Sequence, residues 1–275
     1  MIRGLRVRYR GGVEALSGIS IELPDRGVVC VVGPNASGKT TLLRALAGLI
    51  DYEGEILYDG NDARALGRRA LSKLLALVRA EELAGASGVT VLDLLLTSRY
   101  PVSRGFFLET EEDLEAARLA ARSVGIAHLL RRRLGELSSG ELQRVAIAAA
   151  LARRPRYLLL DEPDAHLDAG AKSEASALLR RVGGESLVVA ATHDTVFAFN
   201  TCDHFVVLRR GRMAFWGTKE EAISRPEAFE EAFGISFAVL DVGPSSVLVP
   251  VYGVPLLEQK AARASTTAAS SETPR

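Results

Sequence analysis

Residues 28–40 are VVCVVGPNASGKT, and this stretch decides the fold. Val28 to Val32 are five apolar, mostly β-branched residues, which predict a strand covered on both faces, as in a parallel sheet. A loop of the pattern G-x-x-x-x-G-K-[ST] follows, and a helix is predicted from Lys39 to about Ala47, ending at Gly48. Backbone N–H groups of such a loop converge on phosphate, and the helix N-terminus favours negative charge. We therefore expect an α/β protein that binds a nucleotide.

The loop residues have distinct predicted tasks. Lys39 is expected to reach the β- and γ-phosphates, and Thr40 to ligate Mg²⁺. The alternative is a chance glycine turn before a helix, which the preceding strand and following helix disfavour. The predicted nucleotide-binding residues of this region are Gly33, Pro34, Asn35, Ala36, Ser37, Gly38, Lys39, Thr40 and Thr41.

Composition limits the classes of function. The 275 residues contain 34 Lys plus Arg and 34 Asp plus Glu, so no global basic field favours nucleic acid, and none is expected as a partner. Cys30 and Cys202 are too few for a disulfide framework or a metal cluster, and Cys30 is expected to be a small core residue. The N-terminus lacks the apolar stretch of a signal peptide. The longest apolar runs fall short of the roughly 20 residues that span a bilayer. A function at a membrane would therefore require another subunit.

The rest of the chain alternates between strand and helix signals. Short apolar and polar steps up to about Leu23 predict antiparallel strands, and residues 88–152 form a mainly helical lobe, with helices at 91–98, 109–124 and 138–152. Short strands are predicted at 157–160, 187–191 and 205–208, as in an α/β sheet. Residues 261–275, mostly Ala, Ser and Thr, are predicted to be a disordered tail.

Two acidic residues end the strand predicted at 157–160. Asp161 is placed to hold Mg²⁺ through water, and Glu162 to orient or deprotonate the attacking water. An acid pair at a strand end is often only a solvated turn. Beside a phosphate loop, the catalytic interpretation is favoured.

A second anion site is predicted at residues 137–141, LSSGE. Ser138 and Glu141 fit an S-x-x-E capping box, which would hold whatever the function. The same helix N-terminus, with Ser139 and Gly140, also suits phosphate. One chain would then carry two phosphate half-sites.

These motifs together resemble the nucleotide-binding subunits of ATP-binding cassette (ABC) transporters, over about residues 1–234. In the family's order, the chain has a Walker A loop (33–40), a signature (137–141), a Walker B strand (158–162), a D-loop (164–168) and a switch histidine (192–194). The resemblance implies a P-loop NTPase (RecA-like) core with an N-terminal antiparallel β subdomain and an inserted helical lobe, here about 88–152. Residues 235–260 would be a short C-terminal extension.

The resemblance also implies roles for residues and partners. ATP and Mg²⁺ would be the ligands, and ATP would lie between the Walker A loop of one subunit and Ser139, Gly140 and Glu141 of another, packed head to tail. His193 would contact the γ-phosphate, Tyr9 would stack on adenine, and Asp168 belongs to the D-loop. The partners would be a second copy or a homologous cassette, two integral-membrane permeases and, indirectly, a solute-binding protein. The expected location is peripheral, on the cytoplasmic face of the membrane.

The sequence departs from that family at one functional position. The glutamine between the core and the helical lobe is missing, and either Ala80 or Glu81 replaces it. Ala80 has no side chain for the task, whereas Glu81 could ligate Mg²⁺ but adds negative charge near the phosphates. The signature departs mildly, with Ser139 for glycine and Glu141 for glutamine, and we expect phosphate contact to survive because Gly140 remains.

Segments of the helical lobe (89–94 and 98–101), the D-loop and the C-terminal region resemble importers for iron-siderophore, haem and vitamin B12. The expected function is therefore an ATPase subunit of such an importer. The alternatives are a soluble ABC ATPase of repair, translation or cofactor assembly, and a regulatory cassette that hardly hydrolyses ATP. A P-loop kinase would not explain the signature.

Overall fold

The computed structural model describes residues 1–103, 109–243 and 245–253. The strands in these ranges are β1 (Ile2–Arg8), β2 (Glu14–Ile21), β3 (Gly27–Val32), β4 (Glu53–Tyr58), β5 (Asn61–Asp62), β6 (Leu75–Val78), β7 (Tyr157–Asp161), β8 (Leu187–Thr192), β9 (His204–Arg209), β10 (Arg212–Thr218), β11 (Ser236–Val242) and β12 (Ser245–Val251). The α-helices are α1 (Lys39–Leu46), α2 (Ala63–Leu74), α3 (Val91–Ser98), α4 (Glu111–Ser123), α5 (Ser139–Leu151), α6 (Ala169–Gly183), α7 (Thr195–Thr201), α8 (Lys219–Ser224) and α9 (Pro226–Phe233).

A six-stranded sheet forms the centre of the molecule, in the order β10-β9-β3-β8-β7-β6. β3 pairs in parallel with both β8 and β9, while β7 lies in parallel between β8 and β6. Val28 to Val32 are fully buried, because helices and the second sheet cover both faces. The predicted buried parallel strand is confirmed, and α1 begins at the predicted Lys39 and ends one residue earlier than expected.

A second, antiparallel sheet has the order β2-β1-β4-β5. β1 and β2 are the antiparallel strands expected from the N-terminal alternation. Their inward residues, such as Leu5 and Leu16, pack with Leu42 and Leu43 of α1 and with Val31 of β3. This core fixes α1, and with it the phosphate loop, between the two sheets.

Three helices, α3, α4 and α5, pack against each other between β6 and β7 in the chain. Their bounds agree with the predicted helices to within two residues. A buried ion pair links two of them, since Nε of Arg99 lies 2.7 Å from Oδ1 of Asp113. Arg99 also donates to the backbone oxygen of Ala152, which joins the pair to the end of α5.

In the C-terminal part, α8 and α9 pack against β9 and β10, and β11 and β12 form a separate two-stranded hairpin. A cluster of phenylalanines holds them: Phe199, Phe205, Phe215, Phe229 and Phe237. Part of the expected C-terminal extension (residues 254–260) and the predicted disordered tail (261–275) lie outside the described residues.

The expectation for the cysteines is wrong in one respect. Cys30 is buried in the core, as predicted, but the structure joins it to Cys202 in a disulfide, with 5.8 Å between the Cα atoms. The two positions meet because Cys30 lies on β3 and Cys202 directly follows α7, where the backbone of Asp203 bonds to that of Val28. A separation of 172 residues gives no local sequence signal for this pairing.

Within the described ranges, no helix has the length and apolar character needed to cross a membrane.

Candidate nucleotide-binding site

The phosphate loop joins β3 to α1 and depends on two glycines. Gly38 has a φ of 108°, and a Cβ there would lie 2.8 Å from Cδ2 of Leu16. A Cβ at Gly33 would lie 2.3 Å from the backbone oxygen of Leu208. Only glycine fits at these places, because the backbone approaches its neighbours more closely than a side chain permits. The two invariant positions of the sequence pattern are therefore also required by the packing of the loop.

Lys39 lies inside this loop with only 6% of its surface exposed. Its Nζ donates to the backbone oxygens of Gly33 (2.8 Å) and Pro34 (3.1 Å). Burial lowers the pKa of Lys39, while the nearby carboxylates, Glu162 first, oppose that shift. The side chain is thus held where the loop encloses it, which is where a phosphate would take over its hydrogen bonds. The buried hydroxyl of Ser37 has no hydrogen-bond partner among the described residues.

Thr40 and Asp161 form the candidate metal-binding pair. Oγ1 of Thr40 donates to Oδ1 of Asp161 over 3.0 Å, so the start of α1 meets the end of β7. Burial raises the pKa of Asp161, and the Thr40 hydrogen bond and the Arg79 charge oppose the increase. Mg²⁺ commonly takes one or two side-chain oxygens plus phosphate oxygens and water, which this pair fits. No cluster of three or more His, Cys, Asp and Glu that suits a metal occurs in the described part of the chain.

Glu162 and His193 lie next to each other because β7 and β8 are neighbours in the sheet. Nδ1 of His193 is 3.6 Å from Oε1 of Glu162. The backbone N–H of Glu162 donates to the oxygen of Ala191 over 2.8 Å, and Glu162 has a φ of 51°. The two predicted catalytic residues are therefore brought together at the carboxyl edge of the sheet. This edge is also where β3 delivers the phosphate loop.

The predicted signature begins α5 with a complete capping box. Oγ of Ser138 accepts from the backbone N–H of Glu141, and Oε2 of Glu141 accepts from the N–H of Ser138 over 2.8 Å. The backbone hydrogen bond from Ser138 lowers the pKa of Glu141, and the Ser138 hydroxyl adds to the effect. Oγ of Ser139 donates to the oxygen of His166, which connects the signature to the D-loop. The capping hydrogen bonds thus use Ser138 and Glu141 of the same chain. Gly140 lies in the first turn of α5 and takes no part in the capping box.

A cavity of about 340 Å³ is bordered by one of the two candidate catalytic groups, Glu162, together with the candidate metal-binding pair. It is bordered by the metal-binding pair and Glu162 on one side and by the first turn of α5 on the other: Thr40, Asp161, Glu162, Ser139, Leu142 and Gln143. Two further predicted residues are positioned by hydrogen bonds of their own. Asp168 caps α6 by accepting from the N–H of Ala171 over 2.8 Å. Tyr9 is 40% exposed, and its hydroxyl is 3.2 Å from Oγ1 of Thr41 on α1.

In the segment that lacks the glutamine, Ala80 and Glu81 have different surroundings. Ala80 begins a 3-10 helix that runs from Ala80 to Ala86, and it packs partly against the core. Glu81 is exposed, and its Oε1 is 3.7 Å from Nε2 of His166 in the D-loop. Both residues border the cavity. The carboxylate of Glu81 therefore lies near the D-loop, and its predicted contact with Mg²⁺ stays a prediction.

Sequence reasoning missed one residue of the site, Arg79. Its Nε lies 3.2 Å from Oδ2 of Asp161. The contact follows from the strand order. β6 pairs in parallel with β7 and Val78 is opposite Leu160, so Arg79 and Asp161 are the next residues along the two strands. Only the sheet order, which the sequence does not state, brings them together.

Comparisons with known proteins agree with this geometry. The family profile described as "ABC transporter" matches residues 16–165, which contain the phosphate loop, the signature and the acid pair. This chain belongs to the ABC transporter family. The cassette is 30% identical to the ferric enterobactin transport ATP-binding protein FepC of Escherichia coli over 263 residues, covering 94% of each chain. It is 34% identical to the hemin import ATP-binding protein HmuV of Gloeobacter violaceus, covering 90% of this chain and 95% of the relative.

A solved structure extends the likeness to the fold of the whole cassette. It is described as an inward-facing conformation of a metal-chelate type ABC transporter and superimposes with a TM-score of 0.78 at 22% identity, covering 91% of this chain and 96% of the other. The P-loop NTPase core with its antiparallel β subdomain, predicted from the motifs, is thereby confirmed.

Proposed function

We propose that this chain is the ATP-hydrolysing subunit of an importer, and that it energises uptake of a metal chelate such as a ferric siderophore, haem or cobalamin. The observation that carries the proposal is the hydrogen bond from Thr40 to Asp161, which joins the phosphate loop to the acid strand beside Glu162. The importer function is supported by the relatives, which are named as ATP-binding proteins for ferric enterobactin and hemin. Their names supply the substrate class, since no residue of a cassette is expected to touch the cargo.

The site residues divide the chemistry between them. The loop amides and Lys39 bind the phosphates of ATP, and Thr40 with Asp161 would hold Mg²⁺, which supplies charge neutralisation at the β- and γ-phosphates when bound. Glu162 orients and deprotonates the attacking water, and His193 beside it contacts the γ-phosphate. Tyr9 stacks on the adenine ring, since its exposed ring stands beside α1.

The complete site requires a second cassette. We assign Ser139, Gly140 and Glu141 of one subunit to the ATP bound in the phosphate loop of the other, packed head to tail. The helix N-terminus and Gly140 in the first turn of α5 support this assignment, because they can receive phosphate oxygens, and the capping box of Ser138 and Glu141 would keep that turn in place for the contact. Two permease subunits, and through them a solute-binding protein, complete the assembly. The chain would lie peripherally at the cytoplasmic face, with residues 1–234 as the ATP-binding domain.

A second function is favoured by one observation, the alanine at position 80. Without an amide at this place, the cassette would bind ATP and hydrolyse it only slowly, in a regulatory role. Measuring phosphate release by the assembled complex, with and without the solute-binding protein and cargo, separates the two. Cargo-stimulated turnover supports the motor, and equal low turnover in both conditions supports the regulator.

The experiment that tests transport is affinity purification of the tagged chain from gently solubilised native membranes, with partners identified by mass spectrometry. A polytopic membrane partner is expected. A matched Gly38→Ala variant, which cannot form the loop, controls for partners that bind unfolded chain. Reproducible recovery of ribosomes, DNA or assembly factors without any membrane protein would contradict the importer and favour a soluble ABC ATPase.

A further inference from the structure

Arg79 is a charged residue of the site to which the motifs assign no role. It directly follows β6 and stands beside Asp161 at the end of β7. Nε of Arg79 is 3.2 Å from Oδ2 of Asp161, and its Nη1 donates to Oε1 of Glu82 over 2.8 Å. One guanidinium thus contacts the acid of the candidate metal pair and, on the other side, an exposed acid of the 3-10 helix.

The carboxylate of Asp161 is divided between two partners. Oδ1 accepts from Thr40 and Oδ2 faces Arg79. Its side chain is only 5% exposed, so water does little to stabilise the negative charge. Arg79 is its only ion-pair partner in the described residues. Arg79 is therefore the cation in direct contact with this poorly hydrated carboxylate, opposite the Thr40 hydrogen bond.

We propose that Arg79 is the counter-ion of Asp161 in the metal-free site and competes with Mg²⁺ for that carboxylate, so that it sets the Mg²⁺ concentration at which the cassette binds nucleotide. Arg79 and Mg²⁺ need not contact the same oxygen of Asp161, because Thr40 contacts Oδ1 and Arg79 contacts Oδ2. They compete for one negative charge, and they repel each other across a poorly hydrated carboxylate. The proposal rests on the proposed role of Asp161 in holding Mg²⁺.

Arg79 also connects the site to the surface. It borders the catalytic cavity and, together with Glu82, a groove of about 160 Å³ between β6 and α5. Glu82 holds the guanidinium from that side, so the arginine keeps a partner when its interaction with Asp161 weakens. Arg79 is a positioning residue that acts on Mg²⁺ through Asp161, and it is not expected to touch the nucleotide.

The test is a titration of MgCl₂ at a fixed concentration of the fluorescent, non-hydrolysable analogue mant-AMP-PNP, which measures binding independently of turnover. For Arg79→Gln, the midpoint is expected to fall roughly three- to ten-fold, since one cationic competitor is removed. Arg79→Lys keeps the charge and should stay within about two-fold of wild type. In EDTA without nucleotide, Arg79→Gln should also lower Tm, because Asp161 loses its counter-ion, and saturating Mg²⁺ and ADP should remove the difference.

Two further variants identify the cause. Arg156→Gln breaks an ion pair with Asp59 outside the site and should leave the midpoint unchanged. Asp161→Asn should raise the midpoint, and adding Arg79→Gln to it should have no further effect. An unchanged or raised midpoint in Arg79→Gln, or an equal fall in Arg156→Gln, overturns the inference while the metal site stands. If Asp161→Asn leaves the midpoint unchanged, the assigned metal site fails as well.

Discussion

Nδ1 of His193 lies 3.6 Å from Oε1 of Glu162, although 31 positions separate the two residues in the chain. Parallel pairing of β7 with β8 creates this contact, because Asp161 is opposite Ala191 and the chain turns at both strand ends. The distance exceeds that of a hydrogen bond, as is common for catalytic groups before substrate binds. The pair is therefore placed to receive a water or a phosphate oxygen between or beside its members.

Replacing His193 by alanine is expected to lower the rate of ATP hydrolysis by about 10²-fold, since a positioned polar group next to the reacting phosphate is lost. Binding of mant-ATP should change far less, because the loop and Lys39 remain. Phosphate release under saturating ATP measures the effect. His128→Ala, at an exposed position of the helical region, is the control, and equal rates for the two variants would remove His193 from catalysis.

Tyr9 gives a prediction about binding that separates its ring from its hydroxyl. Tyr9→Phe keeps the ring but loses the contact with Thr41, and we expect ATP affinity to remain within about two-fold of wild type. Tyr9→Ala removes the ring and should weaken ATP binding roughly five- to ten-fold, since aromatic stacking typically contributes about 1 kcal/mol or more. Equal affinities for ATP in both variants, measured by calorimetry, would show that the ring does not stack on adenine.

The sequence predicted local features of this fold well and pairings across the sheet poorly. The strand at Val28–Val32, the glycine loop and α1 depend on neighbouring residues, so their bounds agree with the structure to within one residue. The pairs Arg79–Asp161 and Cys30–Cys202 depend on which strands and helices are neighbours in space. Sequence spacing carries no information about such contacts until the strand order is known, which explains why both were missed.

The missing glutamine leads to a prediction that distinguishes positions 80 and 81. Ala80→Gln places an amide at the border of the catalytic cavity and is expected to change turnover or its Mg²⁺ dependence. Glu81→Gln removes a charge that lies near His166 and is expected to change either quantity much less. Steady-state phosphate release over a range of MgCl₂ concentrations tests both variants. If neither variant differs from wild type, this segment is only a spacer.

The buried pair of Arg99 and Asp113 predicts how stability depends on pH. Burial by itself would raise the pKa of Asp113, but hydrogen bonds from Thr110, Ser103 and Arg99 hold it well below its ordinary value. The contribution of this depressed pKa to the free energy of unfolding is therefore complete above about pH 4, the range of an unfolded aspartate, and is lost as pH falls through the folded value.

Asp113→Asn should consequently lower the free energy of unfolding at neutral pH by roughly 3 kcal/mol, because the Arg99 charge is left buried without its partner. Urea unfolding at pH 7 and pH 3 measures the change, and the gap between variant and wild type should narrow at the lower pH. Asp51→Asn, at an exposed position, serves as the control. A gap that stays constant between the two pH values would contradict the assignment to Asp113.

The central claim is that Glu162 activates water for hydrolysis of ATP held by the phosphate loop. It is tested most directly by measuring phosphate release and mant-ATP binding in parallel for wild type and Glu162→Gln. The variant is expected to bind the nucleotide as tightly as wild type and to release phosphate about 10²- to 10⁴-fold more slowly, because the general base is lost while the shape of the site is kept. Near-wild-type phosphate release by Glu162→Gln would contradict the account.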